Sequence, residues 1–183
     1  LRPISERAMS AYKEGDPTTL SRLYGRSVGK PLRAKQQALV DNLLPRFGIE
    51  TTVIDSAIDA EWDAAIRPNT KVFFFETPAN PTLDIVDLKY VCDLARAHGI
   101  TTVVDNAFAT AALQRPMDFG ADIVAYSATK LMDGQGRVLA GAICSSEEFM
   151  EETLLPFQRN TGPNLAPFNA WVVLKGLETL SLR

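Results

Sequence analysis

The sequence has few of the side chains that metal sites and histidine-based catalysis need. It contains one histidine, His98, and two cysteines, Cys92 and Cys144, among 183 residues. One histidine nearly excludes a Ser-His-Asp triad or a zinc site, and the two cysteines do not have metal-ligand spacing, so no metal site is expected. Both cysteines lie in apolar contexts, which predicts buried thiols in a reducing cytoplasm. Any catalysis must then depend on lysine, carboxylates and hydroxyls, with or without a cofactor.

Long apolar runs and a strong net charge are also missing. No stretch approaches the ~20 apolar residues of a membrane-spanning helix, and the first residues lack the apolar core of a signal peptide. A net charge of −3 creates no general basic field for nucleic acid or an anionic membrane. The remaining profile, 46% hydrophobic and 22% charged residues, is typical of a soluble globular protein. We expect a cytoplasmic protein without a nucleic-acid or membrane partner.

Apolar runs and helical spacing alternate along the chain, which predicts an α/β fold with a mostly parallel sheet flanked by helices. Residues 1–31 are polar and rich in turn signals, so we expect them to lie over a surface or to reach a partner. The continuous apolar run Lys71–Phe75 predicts a strand that is covered on both faces. The other expected strands cover residues 51–55, 101–104, 123–126 and 138–144. The expected helices cover residues 32–47, 61–66, 87–98 and most of 146–183.

Polar side chains follow three of the expected strands. They are Asn80, Asp105 and the group Ser127, Thr129 and Lys130. Ligands bind beyond the carboxyl ends of parallel strands, so these groups are expected at one rim of the sheet. Hydroxyls can hold a phosphate, and a lysine in a buried, cation-rich setting can form a Schiff base with an aldehyde. With a carboxylate for a ring nitrogen and an amide for a phenolic oxygen, this donor set suits pyridoxal phosphate.

Each of these residues also has a simpler interpretation. Asp105 can cap a loop or a helix, Asn80 can be a turn residue, and Lys130 can be a solvated lysine at a strand end. An aspartate at a strand end can also act as a general base or a metal ligand, with Glu76 as the nearest second carboxylate. The delivery of an amide, a carboxylate and a lysine to one rim favours the functional interpretation.

Three motifs carry a resemblance to a known family. They are Glu76–Pro81 (ETPANP), Val104–Phe108 (VDNAF) and Tyr126–Lys130 (YSATK). In order and spacing they resemble the cysteine and methionine metabolism family of pyridoxal-phosphate enzymes, which includes cystathionine γ-synthase, cystathionine γ-lyase, methionine γ-lyase and the homoserine-ester sulfhydrylases. The resemblance extends from about Leu43 to Arg183. Within the family, Lys130–Arg137 (KLMDGQGR) looks most like the O-succinylhomoserine sulfhydrylases.

This resemblance implies a fold, a cofactor and a set of residue roles. The fold would be the large domain of fold-type I pyridoxal-phosphate enzymes, which is aspartate aminotransferase-like, and the cofactor would be pyridoxal 5'-phosphate. Lys130 would be the Schiff-base lysine and would carry a proton between the Cα and Cγ carbons of the substrate. Asp105 would pair with the pyridine nitrogen, and Asn80 would contact the phenolic oxygen. Ser127 and Thr129 would bind the phosphate.

The resemblance also implies a domain organisation and an assembly. Tyr24 and Arg26 resemble a Tyr-x-Arg element that holds the phosphate of a neighbouring subunit, so residues 1–31 would form an arm within a homotetramer built from dimers. Residues 32–183 would form the pyridoxal-phosphate-binding domain. That domain is expected to be incomplete, because the family's Ser-Gly-Met phosphate loop and ring-stacking aromatic are missing before Leu43. The family's small C-terminal domain, which supplies an arginine for the substrate carboxylate, is likewise expected to be missing from this chain.

The implied reaction is γ-replacement on an O-acylhomoserine, O-succinylhomoserine, with sulfide as the second small-molecule substrate. The product would be homocysteine, an intermediate of methionine biosynthesis. Two alternatives stay open, cystathionine γ-synthase or γ-lyase activity and a non-catalytic remnant of the same fold. The presence of Lys130 and Asp105 favours an enzyme, whereas the missing phosphate loop favours a remnant.

Overall fold

The computed structural model describes residues 37–183, which form two compact units divided between Ala65 and Ile66. The expected N-terminal arm, with Tyr24 and Arg26, lies outside the described residues. Among residues 37–183, no helix is both long enough and apolar enough to cross a membrane.

The described part of the first unit, residues 37–65, is helical at both ends. A π-helix, Leu39–Leu43, continues into a 3-10 helix, Leu44–Phe47, which ends at Gly48 with a left-handed φ of 70°. Glycine adopts this conformation at low cost, so the predicted end of the helix over 32–47 is confirmed. Helix α1, Asp59–Ala65, confirms the short helix expected over 61–66.

The strand expected over 51–55 is wrong. These residues have no regular secondary structure. The amide of Asp55 donates to the Glu61 carboxylate at 2.6 Å, and the Asp55 carboxylate accepts from the amide of Ala57 at 3.1 Å. Asp55 therefore bonds to helix α1. β-branched residues alone do not form a strand when no other strand pairs with them.

The second unit is built on a four-stranded sheet with the order β1-β2-β3-β4. The strands are β1 Val72–Glu76, β2 Thr101–Asp105, β3 Ile123–Tyr126 and β4 Ala142–Ser145. The first three strands are parallel, and β4 runs antiparallel to β3. The predicted α/β architecture with a mostly parallel sheet is thus confirmed, although β4 begins later than the segment 138–144 suggested.

Helix α2, Leu88–Ala97, packs on β2 of this sheet, and further helices follow it along the chain. Helix α2 begins at Asp87, whose side chain accepts from the amide of Tyr90. Its buried residues are Leu88, Val91, Cys92 and Ala95. The remaining helices are α3 Thr110–Leu113, α4, made of the consecutive pieces Glu147–Phe149, Met150–Leu154 and Leu155–Thr161, and α5 Pro167–Leu177. Short 3-10 turns cover Pro116–Phe119 and Leu180–Leu182.

The two faces of the sheet differ in burial. Alternate residues of β1, Phe73 and Phe75, are 6% and 5% exposed, whereas Val72 and Phe74 between them are 52% and 63% exposed. Alternate side chains of a strand point to opposite faces. The expectation that this strand is covered on both faces is therefore wrong for residues 37–183. Asp105 shares the open face with Phe74, because β2 pairs in register with β1.

The two cysteines also differ. Cys92 is buried in α2, and burial raises the pKa of its thiol. Cys144 is exposed on β4, which corrects the expectation that both thiols are buried. Among residues 37–183, β4 pairs with β3 alone, so the apolar residues next to Cys144 in the sequence do not enclose its side chain.

Candidate active site

The carboxyl ends of the three parallel strands meet at one rim. Glu76, the last residue of β1, pairs in register with Asp105, the last residue of β2. Asp105 in turn pairs with Ala125 of β3. Neighbouring strands lie about 4.8 Å apart. The three loops that carry the predicted site residues therefore leave the sheet side by side.

Asp105 ends β2 at a half-buried position of this rim. Its Oδ1 accepts a hydrogen bond from the amide of Ala107 at 3.0 Å. A bond from an aspartate to the backbone two residues later forms a local turn and restricts the side-chain rotamer. The simpler interpretation of Asp105 as a loop cap is thus correct for Oδ1. The same bond presents the carboxylate in a defined orientation.

Asn80 lies at an exposed position of the loop after β1. This loop is closed by its own backbone, since the amide of Ala79 donates to the carbonyl of Asp84 at 2.9 Å and that of Leu83 to Ala79 at 2.7 Å. The segment Glu76–Pro81 contains no helix, as its two prolines predicted. Asn80 is therefore carried by an ordered turn on the rim side of the sheet.

The lysine loop, which we define as Ser127–Arg137, begins directly after β3. Residues Ala128–Met132 form a π-helix in which Lys130 departs from helical geometry, with φ −93° and ψ −123°. The amide of Lys130 donates to the carbonyl of Ser127 at 3.2 Å, and its carbonyl accepts from the amide of Gly134 at 2.7 Å. Its side chain is exposed. The backbone of Lys130 is fixed, but residues 37–183 do not supply the buried setting expected for this lysine.

The hydroxyl of Thr129 is engaged by the backbone. It accepts from the amide of Ala140 at 3.0 Å and donates to the carbonyl of the same residue at 3.2 Å. The hydroxyl therefore joins the lysine loop to the segment before β4. To donate to a phosphate, Thr129 would have to release that carbonyl. The half-buried Ser127 precedes the π-helix without capping it through its side chain, so its hydroxyl is the less constrained of the two.

Asp133 and Arg137 form an ion pair within the lysine loop, and neither was predicted from the sequence. Asp133 is 1% exposed and accepts from the Arg137 amide at 2.6 Å and from its Nε at 2.7 Å. Burial alone raises the pKa of Asp133, but these hydrogen bonds and the charge of Arg137 outweigh it and hold the pKa below its usual value. Arg137 also donates from Nη2 to the carbonyl of Val172 in α5 at 3.4 Å. The ion pair thus connects the lysine loop to α5.

Gly176 in α5 contacts the lysine loop directly. A Cβ atom at this position would overlap the carbonyl oxygen of Met132 and would lie 2.7 Å from that of Asp133. Arg183 adds hydrogen bonds to the carbonyls of Leu131 at 2.8 Å and Gly176 at 2.6 Å. A glycine inside an otherwise apolar helix was the sequence signal for this close approach.

The donor set at the rim fits pyridoxal phosphate. Lys130 would supply an exposed amine for an aldehyde, and Asp105 would supply an oriented carboxylate for a protonated ring nitrogen. Asn80 would supply an amide for the phenolic oxygen, and Ser127 and Thr129 would supply hydroxyls near the lysine. All five lie at the end of a parallel strand or on the loops that follow these strands, at the same rim of the sheet. Such a combination of a lysine with an acidic partner for the ring nitrogen is the one that this cofactor uses.

Comparison with known sequences gives a family. The family model described as Cys/Met metabolism PLP-dependent enzyme matches residues 28–183. An O-succinylhomoserine sulfhydrylase from Pseudomonas aeruginosa is 43% identical over 176 residues, which cover 96% of this chain and 41% of the relative. An O-succinylhomoserine sulfhydrylase from Mycobacterium tuberculosis is 47% identical over 141 residues, which cover 77% of this chain and 35% of the relative.

Comparison with solved structures gives the fold. The crystal structure of cystathionine γ-lyase from Lactobacillus plantarum, complexed with L-serine, superposes with a TM-score of 0.78 at 36% identity. The match covers 81% of this chain and 39% of that chain. The fold is thus that of the fold-type I pyridoxal-phosphate enzymes, as the resemblance implied. The chain spans about two fifths of the length of the relatives that it matches.

Proposed function

The chain belongs to the family of Cys/Met metabolism PLP-dependent enzymes, and from this premise we propose that it carries the cofactor-binding part of an O-succinylhomoserine sulfhydrylase. The proposed reaction replaces the succinyl group of O-succinylhomoserine by sulfide and yields homocysteine for methionine biosynthesis. The observation that supports this choice most is the identity of 43% and 47% with two O-succinylhomoserine sulfhydrylases. Members of this family use the same cofactor for several reactions, so the substrate is the part that we propose.

Each rim residue has a proposed task toward the cofactor and the substrate. When bound, pyridoxal phosphate supplies an electron-withdrawing ring that stabilises negative charge beside the reacting carbons. Asp105 keeps the ring nitrogen protonated through its carboxylate, and Asn80 donates to the phenolic oxygen. Ser127 donates to the phosphate, and Thr129 does so if it releases the carbonyl of Ala140. These contacts orient the cofactor before the substrate arrives.

Lys130 has two proposed tasks. It would hold the cofactor through Nζ, and the free Nζ would take the proton from Cα of the substrate and return a proton to that carbon after sulfide has replaced succinate at Cγ. Its backbone is fixed by hydrogen bonds on both sides while its side chain is exposed. This combination suits a group that must move between the cofactor and the substrate without moving the loop.

A lyase activity is the second candidate, because a cystathionine γ-lyase has the same fold at 36% identity. Elimination from the γ-carbon needs the same lysine and the same ring chemistry, and it differs in that no nucleophile adds. With O-succinylhomoserine alone, elimination gives 2-oxobutyrate, ammonia and succinate. With sulfide or cysteine, replacement gives homocysteine or cystathionine.

The test is a product assay of the chain loaded with pyridoxal phosphate. O-succinylhomoserine is supplied with sulfide, with cysteine, or with neither, and the products are identified by mass spectrometry. Homocysteine formed with sulfide, and lost in Lys130→Ala, is the expected result. Cystathionine as the preferred product, or 2-oxobutyrate at the same rate in all three reactions, would replace the proposal by synthase or lyase activity. No product from a chain that binds the cofactor would leave the remnant of the fold as the better description.

We also propose that the protein is cytoplasmic and assembles as a homotetramer, in which Tyr24 and Arg26 reach the cofactor phosphate of a neighbouring subunit. The short Tyr-x-Arg element supports this assembly, and the metabolic small-molecule substrates support the location. Analytical ultracentrifugation tests the assembly, with a tetramer expected. A monomer at high concentration would contradict the proposal.

A further inference from the structure

A hydrogen-bond network at the rim joins the ends of all three parallel strands. Thr77 is the first residue after β1, Asn106 is the first after β2, and Tyr126 is the last of β3. Gln114, which follows α3, reaches the same place. Thr77 and Asn106 are completely buried, and Gln114 and Tyr126 are half-buried. None of these four residues was a predicted cofactor ligand.

The side-chain amides of Asn106 and Gln114 bond to each other. They also bond to Thr77, which follows β1, and to Tyr126 of β3. Asn106 donates from Nδ2 to the Gln114 carbonyl at 2.8 Å and to the Tyr126 hydroxyl at 3.3 Å. Gln114 donates from Nε2 to Oδ1 of Asn106 at 2.9 Å and to the carbonyl of Thr77 at 2.8 Å. The backbone amide of Asn106 adds a bond to the carbonyl of Ala125 at 2.9 Å. A buried polar network in which the amides are satisfied fixes one relative arrangement of its members.

The network lies beside the residues that are proposed to hold the cofactor. Asn80 is three residues after Thr77, Asp105 directly precedes Asn106, and Ser127 directly follows Tyr126. Sheet hydrogen bonds set the spacing of the strands themselves but end where the strands end. Beyond that point, the side chains of Asn106 and Gln114 connect the segments that follow β1 and β2 with Tyr126 at the end of β3.

We propose that Gln114 and Asn106 are positioning residues that set the relative places of Asn80, Asp105 and Ser127. The inference rests on the proposed function for the identity of the ligand, pyridoxal phosphate. Neither side chain is assigned a contact with the cofactor, so each acts through the loops that it joins. Partners that orient the groups contacting a ligand commonly change its affinity by about 10-fold to 100-fold when they are removed, as known from metal sites.

The experiment compares Gln114→Met with a matched control, Thr102→Val. Methionine keeps the approximate volume of Gln114 and removes both Nε2 donors. Thr102 is completely buried and bonds through its hydroxyl to Asp122 at 2.8 Å, at the opposite end of β2. Both changes remove buried hydrogen bonds, but only Gln114→Met does so at the rim. Pyridoxal-phosphate affinity is measured well below the unfolding transition, and amide hydrogen exchange is measured without cofactor in peptides covering 77–86, 105–107 and 126–130.

We expect Gln114→Met to bind pyridoxal phosphate at least about 10-fold more weakly and to exchange faster in all three peptides. Thr102→Val should bind within about twofold of the parent chain and leave these peptides unchanged. Unchanged affinity in Gln114→Met would overturn the inference. An equal loss in Thr102→Val would also overturn it, since the loss would then reflect general destabilisation.

Two further outcomes are decisive. If the parent chain binds no pyridoxal phosphate, the proposed function fails, and the exchange measurement alone decides whether Gln114 joins the three loops. If Gln114→Met does not fold, Tyr126→Phe replaces it, because this change removes only the bond between Asn106 and the Tyr126 hydroxyl. Weaker binding and faster exchange in Tyr126→Phe then support the inference, and parental behaviour in both measurements overturns it.

Discussion

The lysine loop has an exposed front and a buried back, and different residues occupy the two sides. On the front, the side chain of Lys130 is exposed. On the back, Asp133 is 1% exposed and ion-paired with Arg137, and Gly176 of α5 lies against the loop backbone. Buried contacts contribute to folding stability, whereas exposed side chains contribute little. The chemistry and the stability of this loop can therefore be changed separately.

Lys130→Ala should give the largest effect. It should abolish activity and leave the stability of the fold unchanged. We expect the kcat/KM for homocysteine formation to fall by at least about 10,000-fold, as is usual when the central group of a covalent mechanism is removed. Because the side chain is exposed, the free energy of unfolding should stay within about 0.5 kcal/mol of the parent value. Lys130→Arg keeps the charge and should be equally inactive. Retained turnover in either variant would show that Lys130 is not the reacting amine.

Gly176→Ala should disturb the packing of α5 on the buried side of the lysine loop. In an exposed helix, alanine in place of glycine stabilises by about 1 kcal/mol, but here the new Cβ would overlap the carbonyl of Met132. We expect a net loss of about 2 kcal/mol in urea unfolding, since overpacking of this kind costs about 1–3 kcal/mol. Lys175→Ala, at the preceding position of the same helix, is the control and should lie within about 0.5 kcal/mol of the parent. A stabilised Gly176→Ala would mean that α5 does not press on the lysine loop.

Thr129→Val separates the two possible uses of one hydroxyl. Losing the bonds to Ala140 should lower the free energy of unfolding by about 1 kcal/mol, and Thr129→Ser should restore most of it. Titration with pyridoxal phosphate then shows whether the hydroxyl also holds the phosphate. If valine weakens stability but leaves cofactor affinity at the parent value, Thr129 belongs to the back of the loop alone.

The acid dependence of stability should be the smallest effect. The folded-state pKa of Asp133 lies below its unfolded value, so the unfolded chain binds more protons between the two values. The contribution of Asp133 is therefore complete above its unfolded pKa and is lost as the pH falls through the folded pKa. Asp133→Asn should flatten the decline of unfolding free energy in acid.

Salt distinguishes this pair, in which the carboxylate is buried, from an exposed pair. Asp93 also has a lowered pKa, through a hydrogen bond from Lys89 and the charges of Lys89 and Arg96, but it lies on the surface of α2. Screening weakens exposed pairs much more than buried ones. The free energy of unfolding is measured again in about 1 M salt. There, Asp133→Asn should still change the free energy of unfolding, whereas Asp93→Asn should no longer change it. Equal salt sensitivity of the two variants would contradict the buried placement of Asp133.

Local patterns were enough to predict the three parallel strands and the polar residues at their ends. The apolar runs before Asp105 and Ser127 placed β2 and β3, and the rule for parallel sheets then placed Asn80, Asp105 and Lys130 at one rim. The order of such segments is a property of neighbouring residues, and the sequence contains it directly.

Contacts between distant residues were not predictable in this way. The bond from Gln114 to Thr77 joins residues 37 positions apart, and the approach of Gly176 to Met132 depends on where α5 packs. The run VFFF looks the same whether one face or both faces are covered, so the exposure of Phe74 had no signal of its own. For residues 51–55, β-branched composition suggested a strand, but Asp55 bonds to α1 instead.

The account depends most on a bond between Lys130 and the cofactor, and one measurement tests it directly. Pyridoxal phosphate is added to the chain and to Lys130→Ala, and the visible absorbance spectrum is recorded before and after removal of free cofactor. The account predicts a protein-bound absorbance band for the parent chain that Lys130→Ala abolishes while remaining folded. A folded parent chain without such a band, or the same band in both proteins, would contradict it.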